Sequence, residues 1–255
     1  MSTWIENVDA VQIAAALATM MILAWTAGWF RGRWTVLNQL EPADTKADDA
    51  SLALMGLLLA FTFSMALNKH DHRRAMLVAD CNAIGDFSTC ASMIDEPQQS
   101  QLRDLLRDYV QQRVDLARQG PHPGGLEEHL RFMASSHARM TQAVREAISR
   151  NPPVAVPLVN TLNGLTSSHT ALLASVRDRL PISVLGLLVL ATVAAAGLLG
   201  RQQGASPRSR PAHTVCFIAL VSFALYITLD LNQPTRGLIR LNAEPLERLL
   251  DSMKK

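Results

Sequence analysis

Charge is scarce in this chain, and the short motifs of catalysis are missing. Asp, Glu, Lys and Arg make up 18% of the 255 residues against 49% hydrophobic, and the net charge is +2. An excess that small implies no nucleic-acid partner. Cysteine occurs three times, at Cys81, Cys90 and Cys216, without a CxxC pair. Nine residues on a helix turn through about 900°, so Cys81 and Cys90 point to opposite faces and no bridge between them is expected. All three read as small apolar fillers. There is no GxSxG, phosphate loop, nucleotide fingerprint or HExxH. His70 and His72 diverge by about 200° on a helix, and His122, His129, His137 and His169 are scattered. His169, within an apolar stripe, reads as a core histidine. Asp71, Asp80, Asp86 and Asp230 form no dyad. The chain therefore reads as no enzyme, with no cofactor and no metal site.

What the chain does have is four apolar runs: Ala10–Phe30, Ala50–Leu67, Ile182–Gly200 and Ala212–Leu229. Each is close to the ~20 residues that cross a hydrocarbon core of ~30 Å. Four such runs, each bounded by charge, do not fit inside one soluble core of this length. The first run reads as a retained span rather than a leader, because Glu6 and Asp9 precede it with no Lys or Arg. Trp25, Trp29 and Trp34 gather at its far end, as interfacial aromatics do.

The expected fold is an all-α integral membrane protein with four transmembrane helices and a helical bundle inserted between spans 2 and 3. The expected domains are 1–67 with spans 1 and 2, 68–181 for the bundle, 182–229 with spans 3 and 4, and a tail at 230–255. From Ser51 to about Asp95 only Gly56 and Gly85 interrupt helical character, and Pro97 supplies the stop. Such a helix would run on the order of 65 Å. Leu102, Leu105, Leu106, Tyr109, Val110 and Leu116 predict a second bundle helix. "GPHPGG" at 120–125 is a break, and a third helix spans about Leu126 to Arg150. "NPP" and Pro157 interrupt again before an apolar stripe from Leu158 to Leu180. These stripes look too sparse for a large independent core, so a homo-oligomer is expected to supply the missing burial.

One stripe on the long helix points to function. Leu57, Phe61, Ser64, Asn68, Asp71, Ala75, Val78 and Asn82 fall three and four apart and so share a face. It begins apolar, turns hydroxylic near the end of the span, then becomes amide and acid. Polar side chains at membrane depth normally face protein or water. Around a symmetry axis the stripe would line an ion pathway with an apolar constriction and a wetter mouth. Against this stands the plain reading, in which Ser64 caps its own helix and Asn68 packs between helices. Lys69, Arg73 and Arg74 are either interfacial snorkelling residues or charges that focus anions at the mouth. A second function class is a non-conducting membrane scaffold or sensor whose bundle docks a partner. A transporter is the third, though no inverted repeat or broken span is evident. The short loops carry Arg31, Arg33, Lys46, Arg201, Arg208 and Arg210, which by the positive-inside rule makes them cytoplasmic and turns the bundle outward. Lys69, Arg73, Arg74, Arg177 and Arg179 at the bundle's membrane ends pull the other way.

"LLLAFTFSMALNKHDHRRAMLVADCNAIGDFSTCA" (57–91) resembles the stretch of bestrophins in which the second span runs into a charged helix. "YITLDLNQPTRGLIRLNAEPLERLL" (226–250) is similar to the segment after their last span. The resemblance is strongest to a bestrophin-like bacterial membrane protein family of unknown function. It implies a pentameric ion channel of the plasma membrane, multi-pass and anion-conducting, whose second span lines the pore with Leu57, Phe61 and Ser64. Its partners would be further copies of itself, membrane lipid and inorganic ions. The bundle and both termini would be cytosolic, opposite to the positive-inside reading. Two features depart from bestrophins. Their calcium-binding acidic cluster is reduced to Asp230, followed by Leu231 and Asn232, and "KHDHRRAM" lacks the aromatic residues of their charged signature.

Overall fold

The computed structural model describes residues 10–38, 45–119, 125–206, 211–233 and 243–253. His122, Arg208 and Arg210 lie outside them. The described residues form helices α1 (Ala10–Leu37), α2 (Thr45–Ala91), α3 (Gln98–Gln119) and α4 (Gly125–Arg150), then a 3-10 turn at Pro152–Val154, then α5 (Ala155–Arg177), α6 (Ile182–Ala205), α7 (Pro211–Leu231) and α8 (Glu244–Ser252). No strand occurs among them. The protein is an all-α integral membrane protein with four helices long and apolar enough to span a bilayer. Its residues fall into two compact units, one within Met1–His70 and Arg179–Ile239, the other within Asp71–Asp178 and Arg240–Lys255.

The first unit is the membrane unit. Leu17, Met21, Met55, Leu188, Ala195, Ala196, Val221 and Leu225 form its core. Outside that core, Leu23, Phe30, Leu190, Val215 and Phe223 are each more than 60% exposed, while Thr62, Thr192, Thr214, Thr228 and Asp230 are buried. Apolar outside and hydroxyl inside is the distribution a hydrocarbon solvent selects. Thr62 and Thr192 satisfy their hydroxyls on the preceding turn, Thr62 donating to the Leu58 and Leu59 carbonyls and Thr192 to those of Leu188 and Val189.

Helices α1 and α6 meet backbone to backbone. A Cβ at Gly28 would overlap the Gly197 carbonyl oxygen, and one at Gly32 the Arg201 carbonyl oxygen. From the other side, Cβ atoms at Gly200 and Gly204 would overlap the carbonyl oxygens of Trp25 and Trp29. Glycines four apart on both helices allow this approach, which supplies the dispersion contact that holds helices together in lipid. At one end of this unit Arg201 Nη2 donates to both carboxylate oxygens of Asp48, at 2.6 and 2.5 Å.

The second unit is the bundle. Its core draws on α2 (Leu77, Cys81, Ile84, Phe87), α3 (Leu102, Leu106, Tyr109, Val110, Val114), α4 (Met133, Met140, Ala143, Val144), α5 (Leu158, Leu162, Leu165, Leu172) and α8 (Leu246, Leu250). This corrects the expectation that the apolar stripes are too sparse for a core of their own. Each stripe is narrow, but five helices converge and small residues such as Ala143 and Ala147 bring them close. A second correction concerns Pro157. Helix α5 begins at Ala155 and runs through it, because a first-turn N–H has no intrahelical acceptor and its loss is harmless.

Candidate functional site

Burial divides α2 into two faces. Met55, Thr62, Ala66, Arg73, Leu77, Asp80, Ile84 and Phe87 are buried, and they recur at helical spacing along one side. The opposite side is the stripe singled out in the sequence. In the membrane unit, Leu57 is 67% and Phe61 61% exposed, and Ser64 and Asn68 are exposed beyond them. In the bundle unit, Asp71, Ala75, Val78 and Asn82 are exposed too. There Asp71, Arg74, Ala75, Val78, Ala79 and Asn82 border an open hollow of about 540 Å³. The whole stripe is thus a surface of this chain.

The three cations beside the stripe have different fates. Arg74 is exposed, Lys69 half-buried and Arg73 buried at 1% exposure. Arg73 Nε donates to the Ser175 carbonyl at 3.1 Å and Nη2 to the Asp178 carbonyl at 2.7 Å. A guanidinium there satisfies carbonyls orphaned at the end of α5 and opposes the negative end of its dipole. Arg73 is therefore removed from the mouth charges, since it presents no charge on the open face. Substituting methionine is expected to destabilise the protein by about 1.5–3 kcal/mol for the charged hydrogen bonds lost. Arg74→Met at the exposed neighbour should stay within about 0.5 kcal/mol. Thermal unfolding of both variants checks this, and equal effects would show that the Arg73 cap carries no energy.

Asp230 is buried at the end of α7. Two residues on, Asn232 Oδ1 accepts the Leu180 N–H at 2.7 Å. Among the described residues no three His, Cys, Asp or Glu side chains group as a metal site.

Residues 51–246 match the family described as "Bestrophin-like domain". The chain belongs to the bestrophin-like family. No curated protein matches it at a significant level. Two solved structures share the fold of this bestrophin-like protein. One is a point mutant of a bacterial bestrophin homolog from Klebsiella pneumoniae, with a TM-score of 0.66 and 14% identity over 96% of this chain and 97% of that one. The other is a substituted membrane protein, with a TM-score of 0.57 and 13% identity over 96% of each chain.

The bestrophin-like chain also has a buried polar centre in its bundle that the sequence did not single out. Asp80 of α2 is fully buried. It accepts a hydrogen bond from Ser168 Oγ of α5 at 3.0 Å and pairs with Arg113 Nη1 of α3. The Arg113 guanidinium carbon lies 5.5 Å from the centre of the Tyr109 ring. Tyr109 stands edge-on to His137 of α4 at 5.5 Å and to His169 of α5 at 6.2 Å. The two imidazoles are 6.2 Å apart, and Thr166 Oγ1 lies 3.3 Å from His137 Nδ1. Burial pushes the Tyr109 hydroxyl up to about 12, with Arg113 opposing. Burial alone would lower Arg113, but Asp80, Tyr109 and Cys81 together outweigh it and the net shift is upward. Arg113 therefore stays charged at neutral pH. His137 and His169 looked scattered because α4 and α5 bring them together across 32 positions of sequence. The legible signal was Arg113 itself, which continues the buried series Leu102, Leu106, Tyr109 at helical spacing.

Proposed function

We propose that the protein is a homo-oligomeric ion channel of the plasma membrane, with α2 of each copy facing a central axis. Leu57 and Phe61 would form the apolar constriction, and Ser64, Asn68 and Asp71 the wetter mouth. One observation carries this reading: the stripe stays open along its length while the opposite face of the same helix is buried. Leucine and phenylalanine can face lipid, but Ser64 and Asn68 at the end of a span are better placed toward water. Five copies is the stoichiometry that the family resemblance implies, and the 0.66 fold match to a bacterial bestrophin homolog supports a shared architecture. Anion conduction rests on that resemblance alone, because Arg73 is buried and Asp71 stands on the exposed stripe.

Reconstituted in liposomes, the protein should pass ions, and reversal potentials in asymmetric salt give the sign of the permeant charge. Single cysteines at Leu57, Phe61, Ser64 and Asn68, in a background lacking Cys81, Cys90 and Cys216, should be blocked by charged thiol reagents. Cysteines at the buried Met55 or Ala66 should not. A protein that conducts in no salt at any pH overturns the channel reading. Equal block from both faces of α2 overturns its role as the lining.

A further inference from the structure

The buried centre of the bundle lies on the inner side of α2, away from its open stripe. It holds the Asp80–Arg113 ion pair, whose two charges match. Asp80 is already engaged on both oxygens, by Ser168 and by Arg113. A second cation would find no unused carboxylate there, and burying an unmatched charge is strongly unfavourable. Among its titratable members, His137 is half-buried while Asp80, Tyr109, Arg113 and His169 are buried, so a proton from water can reach it. The side chains around it are Tyr109 and Arg113 from α3, Asp80 with its neighbour Cys81 from α2, and His169 with Thr166 from α5. On α4 itself Arg139 is exposed and reaches back to Ser136 Oγ.

We propose that this cluster is a proton-sensing site in the bundle: a proton taken up at His137 drives its imidazole out from between α3 and α5 and loosens α4. The half-buried ring can leave toward solvent, whereas Asp80, Tyr109 and Arg113 are held inside. Burial and then Arg113 hold the His137 imidazolium below its ordinary 6.5, with Asp80 working against the shift. The sign follows. The folded bundle prefers neutral His137, so this contribution to stability is complete above about 6.5 and is lost as pH falls below it. One proton changes the opening equilibrium by at most about tenfold per pH unit.

The full chain in lipid nanodiscs, followed by hydrogen exchange at pH 7.5, 6.5 and 5.5 with intrinsic rates removed, tests this. Exchange of α4 amides over Met133–Ala147 should be steady from 7.5 to 6.5. It should then rise by up to about tenfold toward 5.5. His137→Gln keeps a partner for Thr166 but cannot take the proton, so its exchange should not respond to pH. If that variant does not fold, His137→Phe, which keeps an edge-to-face partner for Tyr109, decides. His70→Gln and His72→Gln should respond like the parent. A parent protein whose α4 exchange is unchanged between 7.5 and 5.5 overturns the proposal whatever the variants do. So does a His137 variant that keeps the full response.

Discussion

Asp80→Ala is expected to destabilise the bundle by about 3–5 kcal/mol, the cost of leaving one partner of a buried ion pair alone. Arg113 is 6% exposed and has no route to water without opening α3 from α2. Its guanidinium would be left among Tyr109, Cys81 and the leucines of the core. Ser168 would keep only the Leu165 carbonyl as its acceptor. The double variant Asp80→Ala with Arg113→Met should recover most of that loss, because buried ion pairs exchanged for well-packed apolar groups are often neutral or stabilising. Denaturant unfolding of the purified protein, read by helical circular dichroism, gives all three values in one cycle. A single variant within about 1 kcal/mol of the parent would mean that water reaches the pair, and the centre would lose its standing as a buried site.

Gly200→Leu should prevent α1 and α6 from closing. Overpacking a side-chain interior costs about 1–3 kcal/mol, and here the obstacle is the Trp25 backbone, which cannot change rotamer. The expected cost is at or above the top of that range, seen as loss of monodisperse protein on extraction from membranes. Gly200→Ala should already be damaging, since even one Cβ overlaps the carbonyl oxygen. Gly197→Ala is the internal control: a Cβ there meets the Ala24 carbonyl oxygen at 3.6 Å, an ordinary contact. Equal melting temperatures for the two alanine variants would show that close backbone approach does not hold these helices together.

The parts of the fold that sequence made legible are those decided by local pattern. The spans are visible because 18–21 residues without Asp, Glu, Lys or Arg have few alternatives, and α2 is visible as one long helix because nothing after Ser51 breaks it. The open face of α2 was readable for the same reason, since spacing alone places Leu57, Phe61, Ser64 and Asn68 together. The misreadings came where burial depends on distant chain. Arg73 sits in a run of charge, and only the buried neighbours Ala66, Leu77 and Asp80 reveal that it points inward. The bundle core looked thin because α2 and α8 feed it from either end of the sequence. Gly28, Gly32, Gly200 and Gly204 stood in plain view at spacings of four, yet no local rule says which helix a glycine will touch. His137 and His169 carry no motif, because their meeting depends on tertiary packing.

The placement of Leu246 and Leu250 in the bundle core bears on how the chain is made. Helices α2 to α5 leave the ribosome well before α8, with α6 and α7 made in between, so the bundle spends that interval with an open apolar seam. The seam closes only after the last span has been inserted and α8 has followed it. Completion of the water-exposed half is thereby tied to completion of the lipid-embedded half. A chain that stalls during insertion is left with the leucines of its bundle uncovered.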